Sequence, residues 1–247
     1  MEYNNITPET DFTEGVVISI DKPYGWTSAD VVRKLKFLLT KISGHRKLKV
    51  GHAGTLDPLA TGVLLVCVGK ATKQADALQA ERKEYIAEVT LGATTPSFDL
   101  EHPIDRTYPT EHITPELVEK ALLDLTGERY QTPPIYSAKK IEGRRAYDFA
   151  REGEELEMEI RRTLINIYNI EVLEMALPRI TIRVECSKGT YIRSLAQEIG
   201  EKLDSGAHLT MLRRTKSGEH TVEKAYNLDE LLKMLQEMKQ NRANNVI

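Results

Sequence analysis

Cysteine is almost missing from this chain: its 247 residues contain two, Cys67 and Cys186. Two thiols cannot form a disulfide framework, and no Cys or His spacing fits a zinc site. Both lie in apolar, strand-like runs, so they are expected to be buried and reduced. Long apolar runs are missing too, and none reaches the length needed to span a bilayer. The opening residues, Met1-Glu2-Tyr3-Asn4-Asn5, have neither the basic nor the apolar region of a secretory signal. These absences predict a cytoplasmic protein with no metal and no membrane segment. An excess of one charge sign is also missing: 34 Lys and Arg stand against 37 Asp and Glu, a net charge of −3. That balance argues against electrostatic attraction of the whole chain to nucleic acid.

The charges that are present are segregated. From Arg33 to Lys49 the chain carries Arg33, Lys34, Lys36, Lys41, Arg46, Lys47 and Lys49 with no acid. Lys139, Lys140, Arg144 and Arg145 form a second basic group, and Arg161-Arg162 and Arg213, Arg214, Lys216 add others. Acid gathers between Glu152 and Glu159. Such a pattern fits either a basic face for a phosphate backbone or a set of solvated runs.

Hydrophobic residues make up 40% of the chain and charged residues 29%, the balance of an ordinary globular protein with a sizeable core. Residues 1–12 are polar and are expected to be flexible. A strand is predicted from Gly15 to Asp21. A helix capped by Ser28 follows, with Val31, Val32, Leu35, Leu38 and Leu39 at helical spacing. Residues 40–50 read as a basic loop, 63–68 as a strand, 71–80 as a helix and 85–91 as a strand. In the last of these, Tyr85, Ala87, Val89 and Leu91 share one face. Gly92, Pro96, Pro103 and Pro109 make residues 92–113 a long loop. Thr114-Pro115 opens a helix that ends near Gly127. Residues 128–152 are basic and aromatic and read as an excursion from the core. Strands follow within 160–173 and at 180–186, then a helix with Ile192, Leu195, Ala196, Ile199 and Leu203 on one stripe, and a strand at 209–212. Asn227-Leu228-Asp229-Glu230 starts a final helix, and 241–247 is a polar tail. Helices and strands are interleaved without strict alternation, which predicts an α+β fold with a mixed sheet.

The densest local signal is Gly51-His52-Ala53-Gly54-Thr55-Leu56-Asp57-Pro58-Leu59-Ala60-Thr61-Gly62. Glycines allow close backbone approach, and proline holds the preceding Asp57 in an extended conformation at the mouth of a strand. Read locally, Asp57 is either a nucleophile or a turn aspartate bonded to its own backbone.

This run resembles the catalytic signature of the TruB family of pseudouridine synthases, which modify the TΨC loop of tRNA. Asp21-Lys22-Pro23-Tyr24-Gly25-Trp26-Thr27-Ser28 is similar to the family's N-terminal motif, and Lys83-Glu84-Tyr85 to its tyrosine motif. Pro133-Pro134-Ile135-Tyr136-Ser137-Ala138-Lys139-Lys140, with Gly143 and Tyr147, resembles its RNA-gripping segment. Cys186-Ser187-Lys188-Gly189-Thr190-Tyr191-Ile192-Arg193 resembles its arginine motif. Gly206-Ala207-His208-Leu209 through Leu212-Arg213-Arg214 resembles its last block. The motifs occur in order from Gly15 to Gly218.

The resemblance implies a pseudouridine-synthase fold, α+β, with a long mixed sheet, flanking helices and a central RNA-binding cleft. It implies one catalytic domain over 13–240, with 128–152 as a thumb-like insertion. It also implies an enzyme that isomerises uridine 55 in the T-arm stem-loop of tRNA by base flipping, as a monomer and without a cofactor. Asp57, Tyr85 and Arg193 are the implied catalytic residues, with Arg193 pairing with Asp57. His52 is implied to contact the flipped nucleotide, Lys22 to support the active-site loop, and Leu212 to wall the base pocket. Lys139, Lys140, Arg144 and Arg145 are implied to hold phosphates. Two departures stand out. Ala53 replaces the family's usual Thr, and no PUA domain is recognisable after Gly218.

Other readings weigh less. Gly69-Lys70 lacks the first glycine and the Ser/Thr of a P-loop. Ser137 and Lys140 fit an S-x-x-K pattern, but its companion motifs are missing. The alternatives that remain are a tRNA-binding chaperone that has kept the fold, and a pseudouridine synthase for another RNA.

Overall fold

The computed structural model describes residues 6–135, 140–141, 144–145 and 162–244. The chain divides into two compact units, residues 1–84 with 213–247, and residues 85–212. Lys83–Leu91 (β4) and Ala207–Ser217 (β12) contribute to both.

In the first unit, Val16–Lys22 (β1) pairs antiparallel with Thr61–Val68 (β3). Val50–His52 (β2) lies antiparallel on β3, and the end of β12 runs parallel to it, with Arg213 beside Thr61 and Arg214 beside Gly62. The helix Ser28–Ser43 (α1) buries Val31, Leu35, Leu38, Leu39 and Ile42, a stripe of helical period. Its cap is Thr27, one residue before the Ser28 expected from sequence. Thr27 and Asp30 form a reciprocal capping box, which stabilises the helix start by about 1 kcal/mol. Ser28 is freed for another task, described below. After β3 the backbone makes a 3-10 turn over Gly69–Gln74 before the short helix Ala75–Ala80 (α2), so the single helix expected over 71–80 is two elements. Lys83 is buried and caps α2 by donating to the carbonyls of Leu78, Gln79 and Glu81.

In the second unit the strand order is β12, β4, Arg179–Cys186 (β11), Thr163–Ala176 (β10) and Gly127–Gln131 (β7). The long loop expected after β4 holds two short paired strands, Ala93–Thr94 (β5) and Arg106–Thr107 (β6). The helix Pro115–Asp124 (α3) is capped by Thr114 with proline in its first turn. Gly127–Gln131 (β7) pairs with Thr163–Ala176 (β10), so residues 128–131, assigned by sequence to the excursion, belong to the sheet. Lys140–Ile141 (β8) and Arg144–Arg145 (β9) pair with each other. β10 pairs antiparallel with Arg179–Cys186 (β11), and Ile192–Lys202 (α4) follows.

His220–Thr221 (β13), Tyr226–Asn227 (β14) and the helix Leu228–Asn244 (α5) return to the first unit, where α5 packs on α1. The Asn227 side chain accepts from the amides of Asp229 and Glu230, as the capping signal predicts. The helix continues through 241–244, where sequence suggested a tail, because Arg242 bonds the carbonyls of Ile42 and Pro8. Residues 6–12 are likewise held and not loose, since Ile6 and Phe12 are buried. Both cysteines are buried and neither is in a disulfide, and burial pushes the Cys67 thiol up to about 11. Among the described residues no helix is long and apolar enough to cross a membrane.

Candidate active site

Asp57 lies in the loop between β2 and β3, half-buried, and its carbonyl accepts from Ala60 in a tight turn. Two buried cations hold that loop. Arg214 is 1% exposed, and its guanidinium donates to the carbonyls of Val63 at 2.7 Å, Gly54 at 3.1 Å and Thr55 at 3.4 Å. Lys22 is fully buried, and its ammonium donates to the carbonyls of Trp26 at 2.6 Å, Pro23 at 3.0 Å and Pro58 at 3.3 Å. The backbone on both sides of Asp57 is therefore tied to fixed positive charge. Ser28, released from capping, donates to Leu56 O at 3.1 Å and accepts from Leu56 N at 2.9 Å. The Gly25 amide reaches Pro58 O at 2.9 Å.

Two glycines make this possible. A Cβ on Gly62 would stand 2.1 Å from Arg214 O, and a φ of +101° disfavours any other residue there. Gly54, at φ +97°, turns its carbonyl to Arg214.

Electrostatics follow from burial. Desolvation lowers the Lys22 pKa to about 8; the Asp57 charge opposes this and the Arg214 charge adds to it. His52, at the end of β2, is also lowered, by burial first and then by Arg214, which favours the neutral imidazole. Its buried Nδ1 has no hydrogen-bond partner among the described residues. Ala53 is fully buried and packs with Val17, Val63, Leu65 and Cys67, so the small residue fits an apolar core.

The second unit carries the other candidates. Tyr85 sits on the buried face of β4 with Ala87, Val89 and Leu91, the face sequence assigned. Leu212 lies on the buried side of β12. Arg193, in the first turn of α4, is 3% exposed and donates to Ser97 O at 3.2 Å. Its Nε lies 3.6 Å from Asp99 Oδ2, both side chains being buried. Sequence named Asp57 as the partner of Arg193 and did not anticipate Asp99. The start of α4 is fixed by β7: Gln131 is buried, accepts from Tyr191 N at 2.8 Å and donates to Tyr191 O at 3.2 Å. Arg129 pairs with Glu198, whose pKa burial raises, and Ser194 donates to Thr132 O at 2.8 Å. Lys139 and the side chains of Lys140, Arg144 and Arg145 lie outside the described residues.

Sequence grouped Arg213 and Arg214 as basic surface. The strand separates them: burial alternates along β12, so Arg214 faces inward. Arg213 pairs with Asp21 at 2.8 Å. That alternation, running on from Leu212, was the available signal.

The model of the TruB family pseudouridylate synthase N-terminal domain matches residues 40–192. The chain belongs to the TruB family. The family's C-terminal domain model covers 193–247. A TruB relative from Phocaeicola vulgatus, named tRNA pseudouridine synthase B, is 56% identical over 219 residues, 89% of this chain and 92% of its own. One of the same name from Clostridium tetani is 48% identical over 87% of this chain and 72% of its own. Among solved structures, a chain of a Cbf5-Nop10-Gar1 complex matches with a TM-score of 0.67 at 32% identity, over 92% of this chain and 56% of that one. A chain of an H/ACA RNP bound to a substrate RNA containing 2'-deoxyuridine gives a TM-score of 0.68 at 30% identity, over 96% of this chain and 58% of that one. The pseudouridine-synthase fold expected from sequence, α+β with a mixed sheet and flanking helices, is the fold observed.

Proposed function

We propose that this TruB-family chain isomerises uridine 55 in the T-arm stem-loop of tRNA to pseudouridine, as a cytoplasmic monomer. The reaction breaks the bond from C1′ to N1 and forms one from C1′ to C5. The C5 proton leaves and N1 gains one, so composition is unchanged and neither redox cofactor nor energy source is required. The target base is taken out of its stack into the site. Asp57 starts the reaction, by attack at C1′ or by removing a sugar proton, and both routes need its carboxylate ionised. Arg193, held by its ion pair with Asp99, supplies the positive charge that the reaction needs. Tyr85 stacks on the base with its hydroxyl towards C5, and Leu212 walls the pocket. Neutral His52 meets the flipped nucleotide. Lys139, Lys140, Arg144 and Arg145 grip the phosphates.

The observation that carries this reading is the clamping of the Asp57 loop by Lys22 and Arg214. Two buried cations tied to backbone carbonyls fix the loop that presents one carboxylate. A surface turn needs neither. The test is carbodiimide mapping of an unmodified tRNA transcript after incubation with the protein. A single new adduct at the T-loop uridine is expected. Folded protein that binds the transcript and leaves no adduct would favour the chaperone alternative, and adducts only in another RNA would favour a different substrate.

A further inference from the structure

A cavity of about 600 Å³ opens on the first unit beside the Asp57 loop, lined by Gly25, Trp26, Asp30, Arg33, Lys34 and Phe37. Gly25 links the two, because its amide bonds Pro58 O. The helix face at this cavity is unusual for α1. Phe37 is 56% exposed, with the Lys41 ammonium 4.3 Å from its ring centroid, and Tyr24 nearby in sequence is 63% exposed. None of these aromatic surfaces helps to form the core that the opposite stripe of α1 builds. Asp30, the acid in the lining, is committed to the Thr27 cap and to Arg33 at 3.0 Å. The Arg33 side chain is 76% exposed, and Lys34, Lys36 and Lys41 are exposed around it.

We infer that this cavity docks an unstacked nucleobase of the RNA substrate, with Arg33, Lys34 and Lys41 taking its flanking phosphates. The inference rests on the proposed RNA substrate but assigns a separate contact from the reacting uridine. Flat aromatic surface offers a face to any base, and the surrounding cations complement phosphate, so the chemistry fits a single strand better than a duplex or a protein. An acidic protein segment would find the cations but gain little from an open ring slot.

The test uses an internal probe, since Trp26 is the chain's one tryptophan. Its emission is followed while a short unstructured oligoadenylate is titrated in, with inorganic polyphosphate as control. Quenching by the oligonucleotide and not by polyphosphate is expected. Phe37→Ala, at an exposed site that leaves the fold intact, is expected to weaken binding about tenfold, the loss of one stacking contact. Arg33→Ala with Lys34→Ala is expected to make the logarithm of affinity fall less steeply with salt, by about 0.7 per lost phosphate contact. KM measured on full-length transcript and on an isolated T-arm stem-loop then locates the nucleotide. A rise on the transcript alone places it outside the T-arm, and a rise on both places it within. Unchanged affinity, salt slope and KM in these variants, with the wild type still isomerising uridine, would overturn the inference and leave the proposed function standing. Wild type without isomerisation would overturn the proposed function instead. Binding of polyphosphate equal to that of oligoadenylate would also overturn the inference, reducing the site to charge alone.

Discussion

Arg214 donates from Nη2 to the carbonyl of Gly54 at 3.1 Å, so a side chain from strand β12 holds the loop that presents Asp57. The same guanidinium reaches Thr55 and Val63. Arginine suits this role because its planar fork serves several acceptors and stays charged when buried. Replacing it with Met leaves three carbonyls short of a donor. The expected result is a loss of about 2–4 kcal/mol of stability in a denaturant titration and at least a tenfold fall in kcat. Arg214→Lys should recover part of both, and a variant with wild-type stability and kcat would remove the clamp from the account.

Lys22 links pH to the site. Its folded pKa is about 8 against an ordinary 10.5. Between these values the unfolded chain holds the proton and the folded chain does not, so this group makes stability rise with pH across that window. Below about 8 the cost of the buried charge is fully present. Activity runs the other way, because deprotonation removes a positive charge beside Asp57 and weakens the hold on Pro58. A kcat/KM profile should fall above about pH 8 while the denaturation midpoint does not. In Lys22→Met the residual activity should lose that alkaline limb; the same limb in the variant would contradict the assignment.

Asp99 positions Arg193. Removing one partner of a buried ion pair leaves an uncompensated charge, at a cost of about 3–5 kcal/mol. Asp99→Asn should therefore lose stability and kcat, with the affinity for tRNA nearly unchanged. Loss of tRNA binding with kcat intact would show that the pair serves docking and not the reacting centre.

Much of this architecture is legible in the chain. The β4 face with Tyr85, the α1 stripe and the Thr114-Pro115 helix start follow from periodicity and capping, which are local. What escapes is what depends on distant partners. Arg214 reads as one of two adjacent basic residues until β12 is paired with β3 and one face is known to be buried. Asp99 stands in a loop whose pairing with α4 has no sequence signature. Ser28 looks like the helix cap, because its actual partner, Leu56, is 28 positions away. Residues 128–131 read as an excursion because their polar composition hides Gln131, whose buried amide bonds Tyr191.

The measurement that bears most directly on Asp57 is single-turnover release of tritium from C5-labelled uridine in unmodified tRNA, for wild type and Asp57→Asn at matched binding. Wild type should release the label from one uridine. The variant should bind the transcript as well, keep its denaturation midpoint, and release nothing. Release by Asp57→Asn at the wild-type rate would contradict the assignment of Asp57 as the group that starts the reaction.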